Sequence, residues 1–208
     1  FRSKVGAVLT MNLLLNFAEL AVIQILMYYF LSSLPREVYR AKWCYPAVFL
    51  LYGMLLYYVI YQSGNTGAGA LMTVAGCVTA GYFLFTTDRV QIFYICAYAV
   101  TLILCQGIVI YGLGSIYAHR NLFITYREAN VMILFKIAAE ILVTKSFVWV
   151  ANRRKTSSLT KIQYLIFLIV PVFSVVYLYS ICLFSGVYVQ LYGMELVVIN
   201  IGMLLVMN

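Results

Sequence analysis

Charge is what this sequence has least of. Of its 208 residues only 10% are charged, six of them Asp or Glu, and there is one histidine. A soluble domain carries about 25% charged and roughly 45–50% apolar residues. Here 65% are hydrophobic, and the mean hydropathy is +0.98. About 55–60% of an ordinary protein's exposed surface is already apolar, so a single soluble core of this size could not hide the remainder. The solvent for this chain is lipid.

Catalytic motifs are missing too. The sequence has no GxSxG elbow, no HExxH, no paired-glutamate intramembrane protease motif and no P-loop. No lysine occupies the last apolar run to carry retinal. No catalytic residue, metal or cofactor is therefore expected, and the chain does not read as an enzyme. The five cysteines (Cys44, Cys77, Cys96, Cys105 and Cys182) each lie in an apolar run without a CxxC or a histidine cluster. They read as small packing residues rather than as metal ligands or a disulfide framework. The net charge of +8 is not a nucleic-acid signature, because no basic stripe with interleaved aromatics appears outside the loops. Arg2 and Lys4 precede an apolar stretch, but no small-residue cleavage site follows, so the start is not a secretory signal.

What is present is long apolar runs. A spanning helix needs about 20 apolar residues, and runs bounded by charged or turn residues lie at 9–33, 44–62, 69–86, 90–114, 129–150, 162–184 and 190–208. The expected fold is all-α: a polytopic transmembrane helix bundle of six to seven spans, one domain over 1–208, with no room for a soluble module. The runs are continuous rather than alternating, which disfavours a β-barrel. A first residue of Phe and an ending at Asn208 without a basic inner tail lead to the expectation that the chain is part of something larger, its cytoplasmic output domain not being present here.

Orientation follows from the basic residues in the loops. Arg36, Arg40, Lys42, Arg89, Arg153, Arg154, Lys155 and Lys161 fall on one side, against Arg2, Lys4, Arg120 and Arg127 on the other. The richer side is expected to be cytoplasmic, with the N-terminus outside and the C-terminus inside. The outer loops are then 62–69, 114–130 and 185–193. Many of the 19 tyrosines, among them Tyr28, Tyr57, Tyr61, Tyr117 and Tyr188, lie near expected interfaces and fit an aromatic belt. No tandem or inverted repeat is evident, which weakens a secondary-transporter reading.

Ionisable residues inside spans are costly and point to function. Glu19 in the first run and Lys136, Glu140 and Lys145 in the fifth qualify. Lys136 and Glu140 are four residues apart on one helix face and can pair; Glu19 and Lys136 fall at similar depth, so an inter-helix pair is also open. In one reading the local pair neutralises itself and Lys145 reaches to the inner surface. In another these groups form a polar hinge between outer ligand contacts and the last helices, and a third makes them a proton or ion relay. In the long outer loop, His119, Arg120, Tyr126, Arg127 and Glu128 form a polar cluster. It is either an ordinary solvated loop or, with Tyr192 of the last outer loop, a site for a ligand carrying a carboxylate and apolar side chains. Pro171 removes a backbone hydrogen bond from the sixth run, and Ser174 can satisfy a freed carbonyl; a kink there serves as either a hinge or a static bend.

The second half, with KIAAEILVTKSFVWV, the basic loop NRRKTSSLTK, then LIFLIVPVFSVVYLYSI and LVVINIGMLLVMN, resembles the membrane sensor region of bacterial GHKL-type histidine kinases, the accessory-gene-regulator-type receptors. The resemblance covers 136–208. It implies a bacterial cell-membrane receptor of a quorum-sensing two-component system, an extracellular peptide ligand, a homodimer and a cytoplasmic kinase after the last helix. The phosphoacceptor histidine and the ATP-binding boxes are absent from this chain. The expected function is a sensor module that binds a small secreted peptide and shifts its last helices. The alternatives are the substrate-binding membrane subunit of a vitamin-type uptake system and an interaction subunit of a membrane complex. Beyond the peptide and a second copy, only membrane lipid is expected as a partner, and no nucleic acid.

Overall fold

The computed structural model describes residues 2–62, 66–120, 126–153 and 197–207, with the isolated positions 169, 173, 174, 176, 177 and 180. Every regular element among them is helical. The elements are α1 (Arg2–Ser33), α2 (Cys44–Tyr57) continued by a π-helical turn (Tyr58–Gln62), α3 (Thr66–Leu84), α4 (Arg89–Arg120) and α5 (Tyr126–Arg153). A shorter apolar helix, Val197–Met207, closes the described chain. Four segments are long and apolar enough to cross a membrane: Leu14–Ser33, Cys44–Gln62, Gly67–Leu84 and Arg89–Ile110. The chain is thus a multi-pass, all-helical membrane protein. The 28-residue α5 has the length to span, but Lys136, Glu140 and Lys145 keep it outside that apolar set.

Membrane helices are apolar on every side, so the buried face is set by shape rather than by a polar–apolar stripe. Outward positions such as Ile25, Leu50, Leu51, Met54 and Leu142 are exposed. The inward face of α1 carries Leu20, Ile23, Met27, Phe30 and Leu31, and that of α2 carries Tyr45, Phe49, Tyr52 and Leu56. Both recur at helical spacings of three and four residues. They meet Cys77, Ala80 and Leu84 of α3, and Ile95, Tyr98, Ala99 and Leu102 of α4. The opposite face of α4, with Cys96, Val100, Ile103 and Leu104, packs on Val197, Ile201 and Leu204 of the terminal helix. α4 is therefore covered on two sides and forms the axis of the described bundle.

Aromatic rings lock α1, α4 and α5 together. Phe30 stacks on Tyr98 with centroids 4.1 Å apart, and Phe147 meets both rings edge-on at 6.1 and 5.6 Å. The Tyr98 hydroxyl shares a 3.0 Å hydrogen bond with Thr144, so its polar end is satisfied inside the bundle. Between α2 and α3 the contact depends on a missing side chain. A Cβ on Gly76 would overlap the Tyr52 ring, whose hydroxyl donates to the carbonyls of Met72 and Thr73 at 3.0 and 3.1 Å.

At the basic end, the connection between α1 and α2 is tied to that between α3 and α4. The backbone N–H groups of Glu37 and Val38 donate to Phe85 O at 2.9 and 3.1 Å. Glu37 Oε2 accepts from Thr87 N at 2.9 Å and from the Thr86 and Thr87 hydroxyls at 3.1 Å each. Asp88 sits just before α4 and accepts from Val90 N at 3.4 Å, as a helix N-cap does. Hydrogen bonding, first of all from the Thr87 backbone N–H, holds the Glu37 carboxyl below the usual carboxylate range, against the smaller opposing effect of desolvation. A depressed folded pKa adds stability above the unfolded pKa, and that stability is lost as pH falls through the folded value. We expect the Thr87 amide resonance to titrate with a midpoint below ordinary glutamate and to stop titrating in Glu37→Gln. A midpoint at or above the ordinary value would contradict the tie.

Candidate functional site

Three of the four ionisable residues singled out within the apolar runs, Glu19, Lys136 and Glu140, lie close together, whereas Lys145 does not join them. Measured from the basic end at about 1.5 Å per residue, Glu19 lies about 21 Å along α1 from Ser33. Lys136 and Glu140 lie about 26 and 20 Å along α5 from Arg153, again at 1.5 Å per residue. Shared depth alone does not make a contact; the packing of α1 on α5 does. Lys136 Nζ pairs with Glu19 Oε1 across the two helices, and Tyr61 of the π turn donates to the other oxygen, Glu19 Oε2, at 3.3 Å. The structure thus brings Lys136 to Glu19 rather than to its sequence neighbour Glu140. The pair is mostly covered, with side-chain exposures of 17% for Lys136 and 7% for Glu19.

Glu140 is fully buried one turn away on the same face of α5. Its Oε1 accepts from Gln106 Nε2 of α4 at 2.7 Å, while its Oε2 has no hydrogen-bond partner among the described residues. Its backbone carbonyl accepts from the Thr144 hydroxyl at 2.7 Å, and Thr144 in turn meets Tyr98. A buried acceptor left unsatisfied costs about 1–3 kcal/mol. Lysine, two carboxyls, an amide and a phenol from four elements thus lie along one polar seam within a mainly apolar bundle. Such a seam resists being pulled apart and has few alternative arrangements, which suits an element with two discrete states.

The π turn helps to build the seam. A wider turn at Tyr58–Gln62 alters the register of the helix end that carries Tyr61, and π segments recur at functional positions. Sequence reasoning assigned Tyr61 to the interfacial belt and overlooked Gln106. The available signal was an uncharged amide inside the apolar run LILCQGIVI, where a polar side chain needs a partner as a charge does.

Lys145 is exposed on α5. Ser174 is buried, whereas Pro171 and Tyr192 lie outside the described residues. The expected outer loop at 114–130 is shorter than the sequence implied. α4 continues to Arg120, so His119 and Arg120 belong to its last turn, and Tyr126, Arg127 and Glu128 belong to the first turn of α5. The side chains of these five residues are outside the described set. Their shared location at facing helix ends is what the fold adds. Among the described residues, no group of three or more His, Cys, Asp or Glu side chains could hold a metal ion.

Comparison with protein-family models, curated proteins and solved structures finds no match to this chain.

Proposed function

We propose that this protein is the membrane-embedded sensing module of a signalling receptor. In this reading it crosses the membrane six or seven times with its basic loops in the cytoplasm. It takes a small peptide at the outer ends of its helices and passes the signal inward by rearranging α1 against α5. The resemblance of 136–208 to accessory-gene-regulator-type sensor kinases supplies the class. One observation carries the mechanism: the buried Glu19–Lys136 pair, with Tyr61, Gln106 and Glu140 around it, joins elements that a signal must move relative to one another. A peptide that favours one arrangement of this seam shifts the population towards it by its difference in affinity for the two.

The test is hydrogen exchange of the full chain in lipid nanodiscs, with and without the low-molecular-weight peptide fraction of conditioned growth medium. Protection in α1 and α5 is expected to change on addition. The double variant Glu19→Gln/Lys136→Met, which removes both charges together, is expected to stay folded and lose the response, as is Glu140→Ala if it folds. A double variant that responds as the parent does would overturn the mechanism. Failure of any peptide to alter exchange, together with solute accumulation in proteoliposomes, would instead favour an uptake subunit.

A further inference from the structure

The strongest feature outside the polar seam is a lateral groove between α1 and α2. It consists of two adjoining cavities of about 610 and 660 Å³ that share Gln24, Ile25 and Phe49. Towards the middle of the bundle its walls are apolar, with Phe17, Leu50 and Met54. At the opposite end it opens between Arg36 and Lys42. Neither cation has a carboxylate partner among the described residues. Arg36 is held in place by aromatic rings, its guanidinium carbon lying 5.4 Å from the Tyr45 centroid and 5.2 Å from that of Phe85. The nearest carboxylate in sequence, Glu37, is engaged with Thr86 and Thr87.

We propose that this groove holds one anionic phospholipid of the surrounding bilayer, its phosphate between Arg36 and Lys42 and an acyl chain along α1. Three features select this occupant. Both cations stand at the end of the spans, where a headgroup phosphate lies, and basic pockets between membrane helices take anionic headgroups. The walls beyond them are apolar apart from the Gln24 side chain. From Tyr28 to Phe17 the groove follows α1 for about 16 Å at 1.5 Å per residue. That matches the roughly 15 Å depth of one leaflet's hydrocarbon, so a chain entering at the basic end fits along it. Aromatic clamping of Arg36 holds the guanidinium in place and lowers the entropy lost on binding. The proposal concerns membrane embedding alone and stands or falls independently of any peptide ligand.

The experiment is native mass spectrometry of the full chain, released from nanodiscs containing equal phosphatidylglycerol and phosphatidylcholine. One phosphatidylglycerol is expected to be retained in preference to phosphatidylcholine. Two basic contacts near a membrane surface correspond to a preference of about thirtyfold, and Arg36→Gln/Lys42→Gln is expected to remove it. Leu50→Trp, which fills the groove from an exposed wall position, should reduce retention of both lipids. Arg89→Gln, at the same end of the bundle but on α4, should leave the preference unchanged. Equal retention of the two lipids by the parent would overturn the proposal. So would an equal loss with Arg89→Gln, or recovery of a second copy of the chain in the groove with no lipid.

Discussion

Lys136→Met is expected to destabilise the bundle by about 3–5 kcal/mol, the range found when one member of a buried ion pair is removed and the other is left uncompensated. Glu19 would then be a buried carboxylate with Tyr61 as its remaining partner. The companion Glu19→Gln is expected to be costly but less so, since Lys136 keeps only the more distant Glu140 carboxyl, already bonded to Gln106, as a counter-charge. The double variant Glu19→Gln/Lys136→Met should recover most of the loss, because two matched charges replaced together can be close to neutral. Unfolding in mixed micelles, carried through the full double-mutant cycle, measures the coupling directly. A Lys136→Met protein as stable as the parent would mean that the α1–α5 pair contributes nothing.

The second large effect lies at the contact of α2 with α3. Gly76→Val is expected to cost about 1–3 kcal/mol from overpacking, because the Tyr52 ring occupies the space a side chain would need. Displacing the ring also takes its hydroxyl from the Met72 and Thr73 carbonyls. That adds about 1–3 kcal/mol if the hydroxyl stays buried without a partner. In a Tyr52→Ala background the same glycine substitution should cost far less, since the obstacle is gone. Equal penalties in the two backgrounds would show that the cost is one of local helix geometry and not of this ring-on-backbone contact.

The parts of this architecture that were readable from the sequence are those set by solvent preference. Apolar runs bounded by charge gave the second helix its full extent, 44–62, and the first its end at Ser33. The ends of the fourth and fifth helices away from the basic loops were not readable in this way. GSIYAHR and YREAN are polar enough to look like loop, yet a helix satisfies its own backbone and can project beyond the hydrocarbon into water. Hydropathy marks where the apolar stretch stops, which is a different point from where i→i+4 bonding stops. The polar seam was legible as a set of costly residues but not as a set of contacts. Lys136 has an obvious neighbour at Glu140, and only the packing of α1 against α5 reveals that its partner is Glu19. Gln106 and Tyr61 were hidden for a related reason, since uncharged polar groups carry little weight in a hydropathy count until a partner gives them meaning.

The Lys136–Glu19 pair joins positions 117 residues apart, and that separation bears on biogenesis. An ionised group at the centre of an inserting helix costs about 2.5–3.5 kcal/mol on translocon-based scales, and the central stretch of α5 carries three, Lys136, Glu140 and Lys145. Presented alone to the insertion machinery, α5 is a poor candidate for the bilayer. α1 is synthesised long before it and brings Glu19 as a waiting counter-charge. If α5 crosses the bilayer as proposed, its insertion depends on its neighbours, and a truncated chain lacking α1 is expected to leave it at the lipid–water boundary.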